Sequence, residues 1–238
     1  MQQIQIQEHI LQISKIIDET PSVKAFQLKL PPDANINFYP GQFFMVSFVG
    51  NEIKTSRAYS IASSPLNDKY LEIALDKVGP FTTKLFSMKE GDLLKFKGPY
   101  GKFYFSEEMK DNLVLIAGGT GITPLMAIMR YCNDKKLSNK VKLLYSVKTP
   151  KDIIYKNELE KIKNENINFE YVVTVTRESD NWHGVKGRID LDLLKYNIDY
   201  ISGSIYFLCG PKEFVHSIIE MLELLGVSKG QIKTDVWG

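Results

Sequence analysis

The 238-residue sequence holds only two cysteines, Cys132 and Cys209. Two thiols cannot build a disulfide framework, nor a four-thiolate iron–sulfur or zinc site within this chain. Histidine is just as sparse. His9, His183 and His216 stand far apart with no metal-ligand spacing, and they read as ordinary surface or packing residues. An excess of one charge is also missing. The formal net charge is +2, with Lys and Arg spread along the chain, so there is no field to hold nucleic acid or an anionic membrane. No run reaches the roughly 18 apolar residues of a membrane span. The opening MQQIQIQEHILQISKIIDET is too polar for a signal peptide. The default expectation is a cytoplasmic protein. Internal repeats and low-complexity tracts are absent.

With 44% hydrophobic and 24% charged residues, the composition fits one or two globular domains with a sizeable core. Up to about residue 106 the chain shows short alternating runs, among them VKAFQLKL, QFFMVSFV, SRAYSIA, YLEIALDKV and DLLKFKGPYGKFYF. Turn signals such as PPDAN, YPG, SSPLND and EGD separate them, a spacing that predicts an antiparallel barrel or sandwich. Beyond Asp111, strand-like runs (NLVLIAG, KVKLLYSV, NFEYVVTV, SIYFLCG, IKTDVW) are interleaved with helix-like ones (TPLMAIMRYCND, DIIYKNELEKIKNE, PKEFVHSIIEMLELLG). Phe214, Val215, Ile218, Ile219, Leu222 and Leu225 keep helical spacing, and Gly226 is a suitable stop. Alternating strands and helices predict a Rossmann-like α/β parallel sheet covered on both faces. The boundary is expected in SEEMKD, which gives domains of residues 1–108 and 109–238.

The run LVLI enters Gly118-Gly119-Thr120-Gly121, and a helical pattern follows. The loop lacks the Gly-Lys-Ser/Thr ending of a Walker A motif. It resembles G-x-G-x-x-G with Pro124 at the third glycine. Glycines allow close approach to a pyrophosphate, N–H groups at a helix start favour an anion, and Pro suits the first helical turn. Alone, the glycines fit either a nucleotide site or a plain turn. In the first half, RAYSIASSP places Arg57 and Tyr59 on one face of a strand and Ser60 on the other. Arg57 suits a phosphate, Tyr59 a flat ring and Ser60 a ring heteroatom. KVGPFTTKLF follows, offering Gly79, Thr82 and Thr83 to phosphate oxygens. Each of these motifs also fits an ordinary strand and turn.

Seven segments, YPGQF, RAYSIASSP, GPFTTKL, GPYGKF, AGGTGITP, YFLCGP and the terminal DVWG, occur in the order found in the ferredoxin–NADP reductase superfamily, which the chain resembles over nearly its whole length. The resemblance implies a six-stranded antiparallel β-barrel holding a flavin, FAD rather than FMN, followed by an α/β domain for NADPH or NADH. It assigns Arg57 to the flavin phosphate, Tyr59 to the face of the isoalloxazine and Ser60 to the neighbourhood of N5, with Ile61 beside them. Gly79, Thr82 and Thr83 fall to the pyrophosphate. In the second domain it assigns Gly118, Gly119, Thr120, Gly121, Thr123 and Pro124 to the pyridine nucleotide, and Cys209, Gly210 and Pro211 to the nicotinamide. Ser60, Cys209 and Tyr59 are the implied catalytic group, with Cys209 positioning rather than attacking. Arg177, in VTVTRES, and Lys148 would pair with a 2′-phosphate and favour NADPH; otherwise they are two solvated charges. Trp237 either stacks at the flavin or anchors the core. The sequence departs from the family in carrying Asp235 where Glu is common and Lys148 where Arg is common, and in ending on Gly238.

No metal is expected. The implied activity is hydride transfer from nicotinamide to FAD N5, with electrons passing on to a separate acceptor such as ferredoxin or flavodoxin. A stand-alone flavin or quinone reductase is the second reading. A nucleotide-binding subunit without turnover is the third, opposed by the intact R-x-Y-S and C-G-P motifs.

Overall fold

The computed structural model describes residues 5–32, 34, 36–50, 55–177 and 182–237. Asp33 and Asn35 of the proline-led turn, Glu178 and Ser179 after Arg177, and the terminal Gly238 lie outside the described residues.

Six strands make the first sheet: β1 (Gln7–Asp18), β2 (Val23–Lys29), β3 (Phe43–Phe48), β4 (Arg57–Ser60), β5 (Tyr70–Asp76) and β6 (Leu93–Tyr100). Their order is β4-β3-β6-β1-β2-β5, and every pair is antiparallel. Beyond β4, the Ala62 N–H donates to the Glu72 carbonyl at 2.7 Å, which ties the two outer strands and curls the sheet into a nearly closed barrel. Alternation does the sorting: Phe44, Val46 and Phe48 of β3 point inward, while Phe43, Met45 and Ser47 stay partly exposed. Helix α1 (Pro80–Phe86) plugs the barrel with Phe81 and Leu85.

The second sheet is wholly parallel, in the order β10-β9-β8-β7-β11-β12. In chain order its elements are β7 (Asn112–Gly118), α2 (Ile122–Lys135), β8 (Val141–Val147), α3 (Lys156–Glu165), β9 (Phe169–Val175), β10 (Val185–Lys186), α4 (Leu191–Asn197), β11 (Ser204–Pro211), α5 (Lys212–Leu224) and β12 (Ile232–Trp237). Strand β7 shows why both faces are covered. Leu113, Leu115 and Ala117 pack with Leu125 and Met129 of α2, whereas Val114 and Ile116 pack with Val215, Ile218 and Leu222 of α5. Gly226 stands at φ +85°, the left-handed conformation expected of a helix stop.

Some elements depart from the sequence pattern. The helix expected from Asp152 begins only at Lys156, because Pro150–Asp152 forms a separate 3-10 turn and Tyr155 turns left-handed at φ +57°. β1, β10, α1 and α4 carried no clear signal. In β1 only Leu11 and Ile13 are fully buried over 12 residues.

The domains meet over a largely apolar seam. Val23, Ala25, Ala62, Ala74, Phe103 and Phe105 join the same apolar cluster as β7, β8 and α2. Among the described residues, no helix is long and apolar enough to cross a membrane.

Candidate functional site

The parallel sheet changes direction at β7. From there the chain winds outward through β8 and β9, while β11 lies on the opposite side. In sheets of this kind ligands bind beyond the carboxyl ends of the strands at that point. The segments that end there are Gly118–Gly121 after β7 and Cys209-Gly210-Pro211 at the end of β11. Their packing is direct: a Cβ on Gly121 would lie 2.1 Å from the Cys209 carbonyl oxygen, so only glycine allows the loop this close. Gly119 stands at φ +56° with open space around it, leaving the loop backbone accessible. The helix that follows, α2, carries Thr123 and Pro124 in its first turn. Thr123 Oγ1 donates to the Thr120 carbonyl at 2.8 Å and holds that turn.

Two cavities open here. The larger, of about 510 Å³, lies between the domains. From the barrel it is walled by Phe43, Arg57, Tyr59, Ser60, Asp76 and Thr82; from the sheet domain by Thr120, Thr123, Pro124, Cys209, Asp235 and Trp237. The smaller, of about 280 Å³, lies over the Gly-rich loop and is lined by Gly118, Gly119, Thr120, Lys148, Pro211 and Phe214, among others. Asp76, Thr120 and Trp237 line both, so the two spaces adjoin.

In the wall of the larger cavity, polar groups converge on one atom. Asp235 Oδ2 accepts from Ser60 Oγ at 3.4 Å and from Cys209 Sγ at 3.8 Å. Cys209 and Asp235 are paired in register on β11 and β12. Burial pushes the Asp235 carboxyl above its usual value, and the two side-chain bonds only partly offset this. Burial, then the Asp235 charge, pushes the Cys209 thiol well above its ordinary value, so it stays protonated and non-nucleophilic near neutral pH. Burial also lifts the Tyr59 hydroxyl to about 12. The ring of Tyr59 lies 6.0 Å from Phe81, which backs it from inside the barrel.

Arg57, Tyr59, Ser60, Thr82, Thr120, Thr123, Pro124, Cys209 and Trp237 thus share one cavity, and Gly118, Gly119, Lys148 and Pro211 line its neighbour. Gly210 is buried where a Cβ would lie 2.6 Å from Phe214, and Gly79 caps α1 in open space. Thr82 Oγ1 is engaged locally: it accepts from the N–H groups of Val78 and Gly79 and so closes the VGP turn. Gly79, Gly121 and Gly210 line neither cavity but shape the backbone beside them, and three further residues stand apart. Ile61 is fully buried in the barrel core, Thr83 is exposed outside the cavity lining, and Arg177 stands outside the lining of the smaller cavity. Arg177 is nevertheless joined to Lys148 by a backbone bond of 2.9 Å. Sequence reasoning left Asp235 without a role and passed over Phe43 and Asp76. Burial raises the Asp76 carboxyl, against a bond from Ser22.

The larger cavity has the size and mix of a ligand pocket, with an aromatic wall, a few aimed polar groups and a cation. Its walls fit a flat ring with a phosphate tail, which is the shape of FAD. An antiparallel barrel offering such a cavity against a doubly wound sheet with an open phosphate loop defines a two-domain flavin and pyridine-nucleotide oxidoreductase. The chain belongs to the ferredoxin reductase-like family of FAD- and NAD-binding oxidoreductases. Residues 10–105 match the Oxidoreductase FAD-binding domain, and residues 115–219 the Oxidoreductase NAD-binding domain. The NADH-cytochrome b5 reductase 2 of Candida glabrata is 32% identical, over 87% of this chain and 72% of its own length. The glycine betaine monooxygenase reductase subunit of Pseudomonas aeruginosa is 28% identical over 97% of this chain, which spans only 64% of that protein. Among solved structures, the Amycolatopsis cytochrome P450 reductase superposes with a TM-score of 0.86 at 25% identity, covering 97% of this chain and 70% of that one.

Proposed function

We propose that the protein passes reducing equivalents from a nicotinamide coenzyme to bound FAD and onward to a separate redox partner, a ferredoxin or similar protein. The observation that carries this is the adjoining pair of cavities, with Ser60, Cys209 and Asp235 grouped in the wall of the larger one. FAD, when bound, supplies two-electron acceptance at N5 and release of electrons singly. Everything else falls to the chain. Tyr59 backs one face of the larger cavity and Arg57 offers a cation for phosphate at its rim. Gly79 and Thr82 shape the turn where the tail would run. The loop Gly118–Gly121 presents backbone N–H groups to the coenzyme phosphates at the start of α2. Ser60 and Cys209 border the reacting atoms and keep their hydroxyl and thiol protons pointed at Asp235. Trp237 walls both cavities and keeps water from the junction. Alignment alone contributes heavily to a hydride step, and no acid–base dyad or metal is called for. A separate acceptor is supported by relatives named as reductase subunits. We place the domain division at residues 108/109 and the protein in the cytoplasm.

For the coenzyme, the adjacent cations Lys148 and Arg177 favour the 2′-phosphate of NADPH. NADH is the second reading, because Asp76 and Asp152 line the cavity beside Lys148 and a relative is named for NADH.

Purified protein is expected to be yellow, with flavin near one per chain, and to bleach anaerobically with coenzyme. Protein that stays colourless after incubation with FAD would refute the flavin reading. Bleaching rates with NADPH and NADH decide the coenzyme. Arg177→Ala should cut any NADPH preference about tenfold, in line with loss of a charge-assisted phosphate bond; an unchanged preference removes Arg177 from the site. Adding candidate acceptors to the bleached protein then separates ferredoxin reduction from turnover of free flavin or quinone.

A further inference from the structure

One polar cluster lies inside the otherwise apolar domain interface, away from both cavities. Its centre is Arg130, eight residues into the helix that begins at Ile122. Arg130 Nη1 donates to Glu72 Oε1 at 2.7 Å and to the Ala62 carbonyl at 2.9 Å, both in the barrel. On its own side, Nε and Nη2 grip the two oxygens of Glu158 at 2.7 and 2.6 Å. The guanidinium sits 4.9 Å from the centre of the Tyr155 ring, and the Tyr155 N–H donates to Glu19 of the barrel at 2.9 Å. Gln27 Nε2 occupies the second oxygen of Glu72 at 2.9 Å. The side chains of Glu72 and Arg130 are only 2% and 12% exposed.

Placement gives the cluster its meaning. Ala62 lies two residues beyond Ser60, and Glu72 shares β5 with Ala74, Leu75 and Asp76, which line the larger cavity. α2 starts at the Gly-rich loop and carries Thr123 and Pro124 into that cavity. From Thr123 to Arg130 is two turns, roughly 10 Å, along one face of a rigid rod. Thr123 Oγ1 also lies 3.5 Å from the Ala74 carbonyl, so the helix is held to the barrel near both ends of that span. Apolar packing is non-directional and would tolerate sliding, whereas a forked guanidinium fixes distance and angle.

We propose that Arg130 is a positioning residue for hydride transfer. It locks the helix bearing the pyridine-nucleotide loop to the strands walling the flavin cavity, and so sets the gap the hydride crosses. The inference rests on the function proposed above. In that step one proton and two electrons leave C4 of the dihydronicotinamide, which becomes the oxidised pyridinium, and arrive together at the flavin, which is reduced by two electrons.

The test pairs Arg130→Met with Glu72→Met in one variant. Replacing both deeply buried partners with apolar residues of similar volume removes the two costly charges and leaves only Glu158, about a third exposed, without its cation, which tends to preserve folding. In the FAD-loaded full chain, the limiting rate of flavin bleaching at saturating coenzyme should fall about tenfold or more, as small misplacements do. Coenzyme Kd should stay within about twofold, because the loop itself is untouched. Independently of turnover, amide hydrogen exchange should speed up together in residues 57–63 and 122–131. Arg130→Lys, which keeps the charge but cannot reach all four oxygens, should fall between, and it carries the test if the double variant does not fold. A wild-type limiting rate in either folded variant overturns the proposal. Failure of the unsubstituted protein to bleach with either coenzyme overturns the oxidoreductase reading instead, while the exchange measurement still reports on the lock.

Discussion

Asp235 carries one oxygen that accepts from both Ser60 and Cys209, and burial holds its carboxyl above the usual carboxylate range. Its proton is therefore held more tightly in the folded chain than in the unfolded one. Between the two values, lowering the pH favours folding, and the contribution is lost as pH rises through the folded value. The stability of the native protein minus that of Asp235→Asn should accordingly grow as pH falls from 7 toward 4, and level off near the unfolded carboxylate value. Urea midpoints of both proteins across that range check it; a difference that shrinks on acidification would contradict the buried placement. Arg57, Tyr59, Ser60 and Cys209 were legible because each sits in a short motif of fixed spacing. Asp235 was not, because its partners lie 175 and 26 residues away: the parallel register of β11 on β12 brings Cys209 to it, and the packing of the barrel on the sheet brings Ser60.

At the scale of elements, the loop between β7 and α2 shows two glycines used for different reasons. Gly121→Ala drives a methyl into the Cys209 carbonyl, and the backbone must move. Overpacking of this kind costs about 1–3 kcal/mol and should also slow flavin bleaching by shifting Cys209. Gly119→Ala meets no protein atom and costs only the left-handed penalty, roughly 1–2 kcal/mol, but its methyl enters the coenzyme cavity, so its effect should be on stability and coenzyme Kd, with the limiting bleaching rate at saturating coenzyme near normal. Denaturation midpoints and bleaching rates for both variants separate the two cases; equal losses of rate would contradict the assignment. Elements with strong periodicity, such as β3, β7, α2 and α5, could be read directly. β1 could not, because it is largely exposed and pairs on both sides through backbone rather than through an apolar stripe. α1 and α4, seven residues each, are too short to show helical periodicity.

For the whole molecule, the alternation of strands and helices predicted two domains of different class, and the fold has them. What the pattern could not show is how closely they share a core, since contacts such as Phe103 with Phe207, 5.4 Å between ring centres, follow no sequence rule. A shared core predicts cooperative behaviour. Trp182 and Trp237, both in the second domain, report on that half, whereas far-UV dichroism reports on both. The two urea transitions should coincide. Two separated midpoints would mean that the interface holds less than its burial implies.

The guanidinium of Arg130 also constrains how such a protein can be rebuilt. A chimera joining this nucleotide domain to a foreign barrel would leave Arg130 paired only with Glu158 of its own domain, its Nη1 buried against a surface without the Glu72 carboxylate. The halves are therefore not free modules. Exchange between relatives would succeed only where the acid on β5 travels with the arginine on α2, so the pair acts as a compatibility key for recombination.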